Sequence, residues 1–278
     1  MGLFSWIGDK WKTFTGEKTY EEADALYNKV MDRFNNHKKE FERSVDKYTN
    51  KIENHVSTIN KYKTSIKTEL LPEFADRIKH IKDVSVSEYF VKECFDGVNL
   101  KLDTVKKRSE LFLIDFDKNP IKNNALAILS LGFYTRKKAK ETLLQVKEEE
   151  KRIEEEIERM DSEISRLEKI CESLSLVELY YSSIVDIYKT LLKRLDNSVN
   201  FLMIRSMCLS RRIDRSMMSV KMLSQSQVNE INAVVTCSKI LKTMAETKIT
   251  TDATDTLKKT AKTLENGSNE IESLYKAA

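Results

Sequence analysis

The three histidines are the first residues to test for chemistry, because imidazole is the commonest metal ligand and general base in proteins. They are His37, His55 and His80. None has a second histidine three or four residues away, and no Glu-x-x-His occurs, so the helical ligand pairs of zinc and di-iron sites are missing. His37 also lies on an apolar stripe, where a packed histidine is expected. We predict no metal site and no cofactor.

Two runs of glutamates, at 148–150 and 154–156, are the next candidates, because paired carboxylates perform general acid–base chemistry. Both runs lie in a segment of heptad spacing, where charged residues occupy the solvated flanks of a coiled coil. The six glycines are scattered and never adjacent, so no glycine-rich phosphate loop exists. No serine or cysteine has a recognisable nucleophile context. We therefore predict that the protein has no catalytic residue and is not an enzyme.

The four cysteines are far apart and form no Cys-x-x-Cys motif, so we expect small buried apolar residues in a reducing compartment. They are Cys94, Cys171, Cys208 and Cys237. Forty-eight basic and forty-four acidic residues leave a net charge of +4, which is too balanced to indicate nucleic-acid binding. We expect no nucleic-acid partner.

The first sixteen residues, MGLFSWIGDKWKTFTG, carry the clearest contact signal. As a helix they place large apolar side chains in one arc, and they hold both tryptophans of the chain. Aromatic residues beside lysines are typical of a helix lying in a membrane interface. A helix docked on the protein's own core, or on a partner protein, is the alternative. The predicted membrane-binding residues are Leu3, Phe4, Trp6, Ile7, Lys10, Trp11, Lys12 and Phe14.

A second membrane candidate is NALAILSLGFYTRKKAK, residues 124–140. Its uncharged run ends in an aromatic residue followed by basic residues, an order that suits the headgroup boundary. The run is too short to cross a bilayer as a helix, so it is either an interfacial or latent insertion element or a buried helical turn. Its residues are Leu126, Ile128, Leu129, Leu131, Phe133, Tyr134, Arg136, Lys137 and Lys138.

A third candidate lies in residues 203–222, which hold five of the nine methionines and five basic residues with a single acid. Soft side chains beside positive charge indicate an adaptable contact surface for a protein groove or for anionic lipid. A plain corner between helices is the alternative. The residues of this contact surface are Met207, Arg211, Arg212, Arg215, Met217 and Met218.

The elements that would position these residues are helices. Two prolines and six glycines in 278 residues, with 33% charged residues, predict an all-α, elongated helical bundle with long coiled-coil helices. Apolar spacing near 3.6 predicts one helix over about 20–71, ended by Pro72. Strict heptads from Ala139 to Leu174 predict a second long helix over 121–174.

Shorter helices are predicted around the long ones, over 73–112 and 176–278. Glu150 falls inside the heptad seam, where it would weaken the packing and help to fix its register. Ser175 with Glu178 predicts the start of a new helix, and Gly267 predicts the end of another. Residues 17–278 would then form a single elongated helical domain behind the N-terminal segment.

Targeting signals are missing from the sequence. The N-terminus lacks the apolar run and cleavage site of a signal peptide, and it misses the myristoylation pattern because Trp6 replaces serine or threonine. No stretch reaches the length of a transmembrane helix. We predict a cytoplasmic protein that is peripheral on the membrane.

The opening MGLFSWIGDKW, followed by long charged coiled-coil helices, resembles the bacterial phage-shock-protein-A family of membrane-remodelling proteins, the prokaryotic relatives of ESCRT-III. The resemblance implies an N-terminal amphipathic helix that binds anionic membrane, and long helical hairpins that polymerise. The chain is also similar to helical pore-forming toxins, in which long helices pack around a hidden apolar element. Residues 124–134 would be that element.

The leading prediction is a non-enzymatic, membrane-associated helical scaffold that binds anionic lipid membrane through its N-terminal helix. Its protein partner would be a second copy of itself, as a homo-oligomer, or another helical protein. One alternative is a pore-forming or membrane-disrupting protein that uses residues 120–140. A further alternative is a soluble coiled-coil adaptor for a protein partner.

Overall fold

The computed structural model of the chain describes residues 17–96, 136–213, 218–247, 249 and 254–277. The helices are α1 (Glu17–Ser65), α2 (Leu71–Ile78), α3 (Glu88–Asp96), α4 (Arg136–Ser210), α5 (Gln225–Glu246) and α6 (Thr254–Ala277). These described residues contain no β-strand, and a single isolated parallel bridge joins Lys82 to Ser219. The prediction of an all-α fold with long helices is confirmed.

The chain divides into two compact units. Unit 1 comprises Met1–Thr49 and Lys107–Glu168, and unit 2 comprises Asn50–Lys106 and Lys169–Ala278. Helices α1 and α4 therefore contribute residues to both units. Because both helices run through the two units, the division does not test the single domain expected over residues 17–278, which stays a prediction.

In unit 1, α1 and α4 run parallel. Arg33 pairs with Glu154 at 2.9 Å, and the Tyr48 hydroxyl donates to Glu168 at 3.0 Å. The partners are 121 and 120 residues apart, so both helices advance in the same direction. Along α4, the apolar residues seven positions apart that the heptads predicted are buried. They are Val146, Ile153, Met160 and Leu167.

The second row of this seam differs from the prediction by one residue. Glu150 is half-buried, whereas Glu149 is buried. Glu156 and Glu163 repeat this position at heptad spacing, with side chains only 13% and 15% exposed. An arginine three residues later pairs with each glutamate, at 2.7, 3.3 and 2.9 Å. The ion pair neutralises each carboxylate at the edge of the seam, which is why charged residues are tolerated there.

In unit 2, α4 packs its buried face against several helices. Tyr181 and Tyr188 are both fully buried, and their hydroxyls have partners on α5. Tyr181 donates to the Met244 carbonyl at 2.6 Å, and Tyr188 shares a hydrogen bond with Ser238. Because both hydroxyls have hydrogen-bond partners, burying these phenols in an apolar core leaves no hydroxyl unsatisfied. The row then continues through Leu191, Leu195 and Leu202.

Pro72 does not end the helical path as predicted. A π-helical turn, Ile66–Leu70, joins α1 to α2, and Pro72 lies in the first turn of α2. The Leu71 amide donates to the Ile66 carbonyl, which is the wider bonding pattern of a π turn. Proline lacks an amide hydrogen, so inside a helix it would remove a backbone hydrogen bond, whereas in the first turn of a helix no such bond is needed. The π turn lets α2 begin as a new helix with Pro72 in its first turn.

Two other predicted boundaries are wrong. Helix α4 continues through Leu174 and Ser175 to Ser210, because the buried row keeps its spacing there and outweighs a local capping pattern. Helix α6 continues through Gly267. A Cβ atom at Gly267 would lie 3.2 Å from Ile240 Cγ2, so the missing side chain allows α5 and α6 to approach closely.

Candidate interaction surfaces

Most of the predicted membrane residues lie outside the described part of the chain. This holds for the N-terminal candidate and for the second candidate from Leu126 to Tyr134. Arg136, Lys137 and Lys138 form the start of α4, with side chains that are not described. Arg215 and Met217 of the third candidate are also outside. These residues stay predictions.

A histidine and three of the glutamates singled out for chemistry take part in ion pairs: His55, Glu149, Glu154 and Glu156. His55 Nδ1 lies 2.6 Å from a carboxylate oxygen of Glu178, and Arg33 pairs with Glu154. Among the residues that the structure describes, no group of three or more histidine, cysteine or acidic side chains is placed to hold a metal ion. The geometry of these pairs is that of helix-to-helix contacts.

Three of the four cysteines are buried, as predicted, and Cys208 is exposed. Burial raises the pKa of Cys94 to about 11 and the pKa of Cys237 to about 12. Lys242 acts in the opposite direction on Cys94, since its ammonium favours the thiolate. The two buried thiols therefore stay protonated and unreactive at neutral pH.

The C-terminal end of α4 forms an exposed corner. The helix ends because Arg211 adopts a positive φ of 57°, and its amide donates to the Met207 carbonyl at 2.9 Å. The hydroxyl of Ser210 donates to the Arg212 carbonyl at 2.7 Å. These hydrogen bonds hold Arg211 and Arg212 just beyond the end of the helix.

Two apolar and two basic side chains project from this corner, which we call the tip: Leu209, Arg211, Arg212 and Ile213. Leu209 is 61% exposed and Ile213 is 53% exposed, and both arginines are exposed. Two exposed apolar side chains beside two exposed arginines make the tip a candidate contact surface. Sequence reasoning identified the arginines and missed Leu209 and Ile213.

Met218 does not belong to this surface. Its side chain has no solvent exposure, and its carbonyl accepts a hydrogen bond from the Lys82 amide at 2.7 Å. Residues 218–222 are instead held by hydrogen bonds inside unit 2, where the Val220 amide donates to the Lys82 carbonyl at 3.0 Å and the Arg205 guanidinium donates to the Met222 carbonyl at 2.9 Å. The methionine-rich composition alone did not separate packed methionines from exposed ones.

A second exposed surface, which we call the stripe, runs along α4 inside unit 2. Its residues follow one another in alternating steps of three and four, so they share one side of the helix. They are Leu176, Leu179, Ser183, Asp186, Thr190, Lys193, Asn197, Asn200, Ile204 and Met207, and all are exposed. Sequence reasoning missed the stripe except for Met207, because the apolar signal of α4 is dominated by its buried face.

None of the helices within 17–96, 136–213, 218–247 and 254–277 combines the length and apolar character needed to cross a bilayer. Comparison of the whole chain with known proteins found no matching family model, no matching curated protein and no matching solved structure.

Proposed function

We propose that the protein is a membrane-associated helical scaffold that binds anionic membrane and associates with further copies of itself. Membrane contact would come from the N-terminal sixteen residues and from the tip. The observation that carries the proposal is the tip, where Leu209 and Ile213 are exposed beside Arg211 and Arg212. This combination repeats the apolar and basic pairing of the N-terminal segment.

The tip has the chemistry of a weak membrane anchor. A fully buried large apolar side chain contributes about 1.5–3 kcal/mol, and a basic residue near an anionic surface contributes about 1 kcal/mol. Two apolar and two basic residues therefore bind a membrane only weakly, because binding also costs the conformational freedom of the side chains that become ordered. The N-terminal segment offers more apolar residues, so we expect it to supply the larger part of the binding free energy and the tip the smaller part.

Co-sedimentation with vesicles tests this proposal. We expect the protein to bind vesicles containing phosphatidylserine, and to bind less at high salt because salt screens the lysine and arginine contacts. Deleting residues 2–15, or changing Trp6 and Trp11 to glutamate, should remove most of the binding. Changing Leu209 and Ile213 together to glutamate should weaken it severalfold.

The matched control is Leu144→Glu, because Leu144 is 62% exposed on the same helix and belongs to neither surface. Circular dichroism of each variant would establish that the helices are intact. Unchanged binding after both the deletion and the double substitution would overturn the proposal. Absence of any vesicle binding would favour the soluble adaptor.

The release of an entrapped dye separates a scaffold from a pore-forming protein. A scaffold is expected to bind vesicles without leakage, because contact at the interface leaves the bilayer continuous. Leakage that depends on residues 120–140 would replace the proposal with the pore-forming alternative.

A further inference from the structure

The order of apolar and polar residues along the stripe is the same when it is read from either end, and the amino-acid composition of the stripe does not require this symmetry. Its two ends are apolar, with Leu176 and Leu179 at one end and Ile204 and Met207 at the other. The six residues between them are polar or charged. Relative to a point between Leu191 and Leu192, Leu176 is the mirror position of Met207, and Leu179 is the mirror position of Ile204. Every other member of the stripe also has a mirror position within it.

We propose that the stripe is a homodimer interface, in which two copies of α4 pack antiparallel about a two-fold axis at that point. Such a pairing places Leu176 of one copy opposite Met207 of the other, and Leu179 opposite Ile204. Each contact occurs twice, as an isologous interface requires. The alternating steps of three and four are the spacing by which two helices interlock side chains over many turns.

The charges select the antiparallel direction. In a parallel pair, Asp186 would face Asp186 and Lys193 would face Lys193, so like charges would meet at two layers. In the antiparallel pair, Asp186 of one copy lies about one helical turn from Lys193 of the other, within reach of its long side chain. Neither side chain has an ion-pair partner among the residues that the structure describes, so both are available.

A second copy fits the stripe better than a lipid surface does. The middle of the stripe presents Asp186 and Asn197, whose polar side chains a bilayer would have to cover without hydrogen-bonding partners. A second copy brings the same polar groups, so each polar layer meets another polar layer. The opposite face of α4 is occupied within unit 2 by buried residues such as Tyr181 and Tyr188.

This inference specifies the self-association in the proposed function and rests on that part alone. Membrane contact uses the N-terminal segment and the tip, whereas dimerisation uses the stripe. Vesicle binding that survives the loss of the dimer would leave the membrane proposal standing, and a dimer without vesicle binding would leave this inference standing.

Light scattering after size-exclusion chromatography, over a micromolar concentration series, gives the first test. We expect the mass to rise from the 32.3 kDa of one chain towards twice that value. Leu179→Glu with Ile204→Glu should raise the dimer dissociation constant at least about tenfold, because each of the two Leu179–Ile204 contacts would be replaced by a pair of like charges. Leu144→Glu, equally exposed but outside the stripe, should leave it unchanged. A wild-type chain that stays monomeric throughout would overturn the inference.

Disulfide cross-linking tests the direction. In a Cys208→Ser background, chains carrying Leu179→Cys are mixed with chains carrying Ile204→Cys and oxidised with copper phenanthroline. The antiparallel pair should cross-link the two different chains. Leu179→Cys chains alone should not cross-link, since their thiols would lie about 38 Å apart along the axis. Rapid cross-linking of Leu179→Cys to itself would mean a parallel pair, and equal cross-linking of all mixtures would mean no fixed interface.

Charge exchange tests the polar layer. Asp186→Lys should weaken the dimer severalfold, and adding Lys193→Asp to the same chain should restore it, because the opposite charges again meet between copies. Failure of the second substitution to restore the dimer would contradict the antiparallel register.

Discussion

Units 1 and 2 use the same two helices, α1 and α4, to build different cores. In unit 1, the buried side of α4 alternates apolar residues with the glutamates Glu149, Glu156 and Glu163, each held by an arginine. In unit 2, the corresponding side carries large apolar and aromatic residues, including Tyr181 and Tyr188. The heptad spacing is common to both units, so spacing alone does not determine how polar the buried residues of a core are.

The difference follows from how many elements meet α4. In the described residues of unit 1 its partner is α1, and a pair of helices leaves the flanks of the seam near water. In unit 2, α4 has contacts with four described helices: with α1 through Glu178 and His55, with α2 through Asp196 and Arg77, with α5 through Tyr181 and Met244, and with α6 through Arg194 and Tyr275. Enclosure removes more apolar surface from water, so unit 2 should hold the larger share of the stability.

The largest expected effect is the contrast between Phe74→Ala in unit 2 and Ile153→Ala in unit 1. Phe74 is fully buried and packs edge-on against Phe90, with ring centroids 6.3 Å apart, so its loss should cost about 3–5 kcal/mol. Ile153→Ala should cost about 2–3 kcal/mol, because the flanks of a helix pair can close on the cavity. Urea unfolding followed by circular dichroism measures both. An equal or reversed order would remove the proposed difference between the units.

Thiol reactivity sharpens the comparison, because all four cysteines belong to unit 2. At pH 8 we expect an alkylating reagent to modify one thiol promptly, at Cys208, while the buried thiols react only as unit 2 opens. Mass spectrometry of peptides identifies the site. Prompt modification of Cys237 in the native protein would show that the unit 2 core is open to solvent.

The same thiols give unit 2 a pH dependence with a defined sign. The raised pKa values of Cys94 and Cys237 mean that the folded state holds its thiol protons to higher pH than the unfolded chain, whose ordinary thiol pKa is 9.0. Their contribution is therefore complete below pH 9 and is lost as the pH rises through about 11 and 12. Cys237→Ala should flatten this loss of stability, and an unchanged slope would contradict it.

The smallest expected effect concerns the exposed ion pair of unit 1. Arg33 and Glu154 lie 2.9 Å apart, but their side chains remain 42% and 52% exposed. Glu154→Gln should therefore lower the free energy of unfolding by no more than about 1 kcal/mol, and less at high salt. Glu158→Gln, at an exposed position on the same helix, is the control. A loss of several kcal/mol would mean that unit 1 depends on its charges.

Several features could be predicted from the sequence because their cause is local. The scarcity of proline and glycine predicted the helices, and the seven-residue spacing predicted the buried row from Val146 to Leu167. The basic residues of the tip were visible as a composition bias. The predictions that were wrong involved residues whose usual local effect is overruled by packing, namely Pro72, Ser175 and Gly267.

By itself the sequence determined that the chain is helical, where its long apolar rows run, and which segments combine apolar with basic residues. The tertiary structure decided which side of each row is enclosed. Glu149 is buried beside Arg152, and Leu176 and Leu179 are exposed, although hydropathy predicts the opposite for each. Met218 is buried, although the basic residues around it in the sequence predicted an exposed contact surface. The physical reason is that burial depends on neighbours from distant parts of the chain, and spacing along one helix does not specify which neighbours arrive.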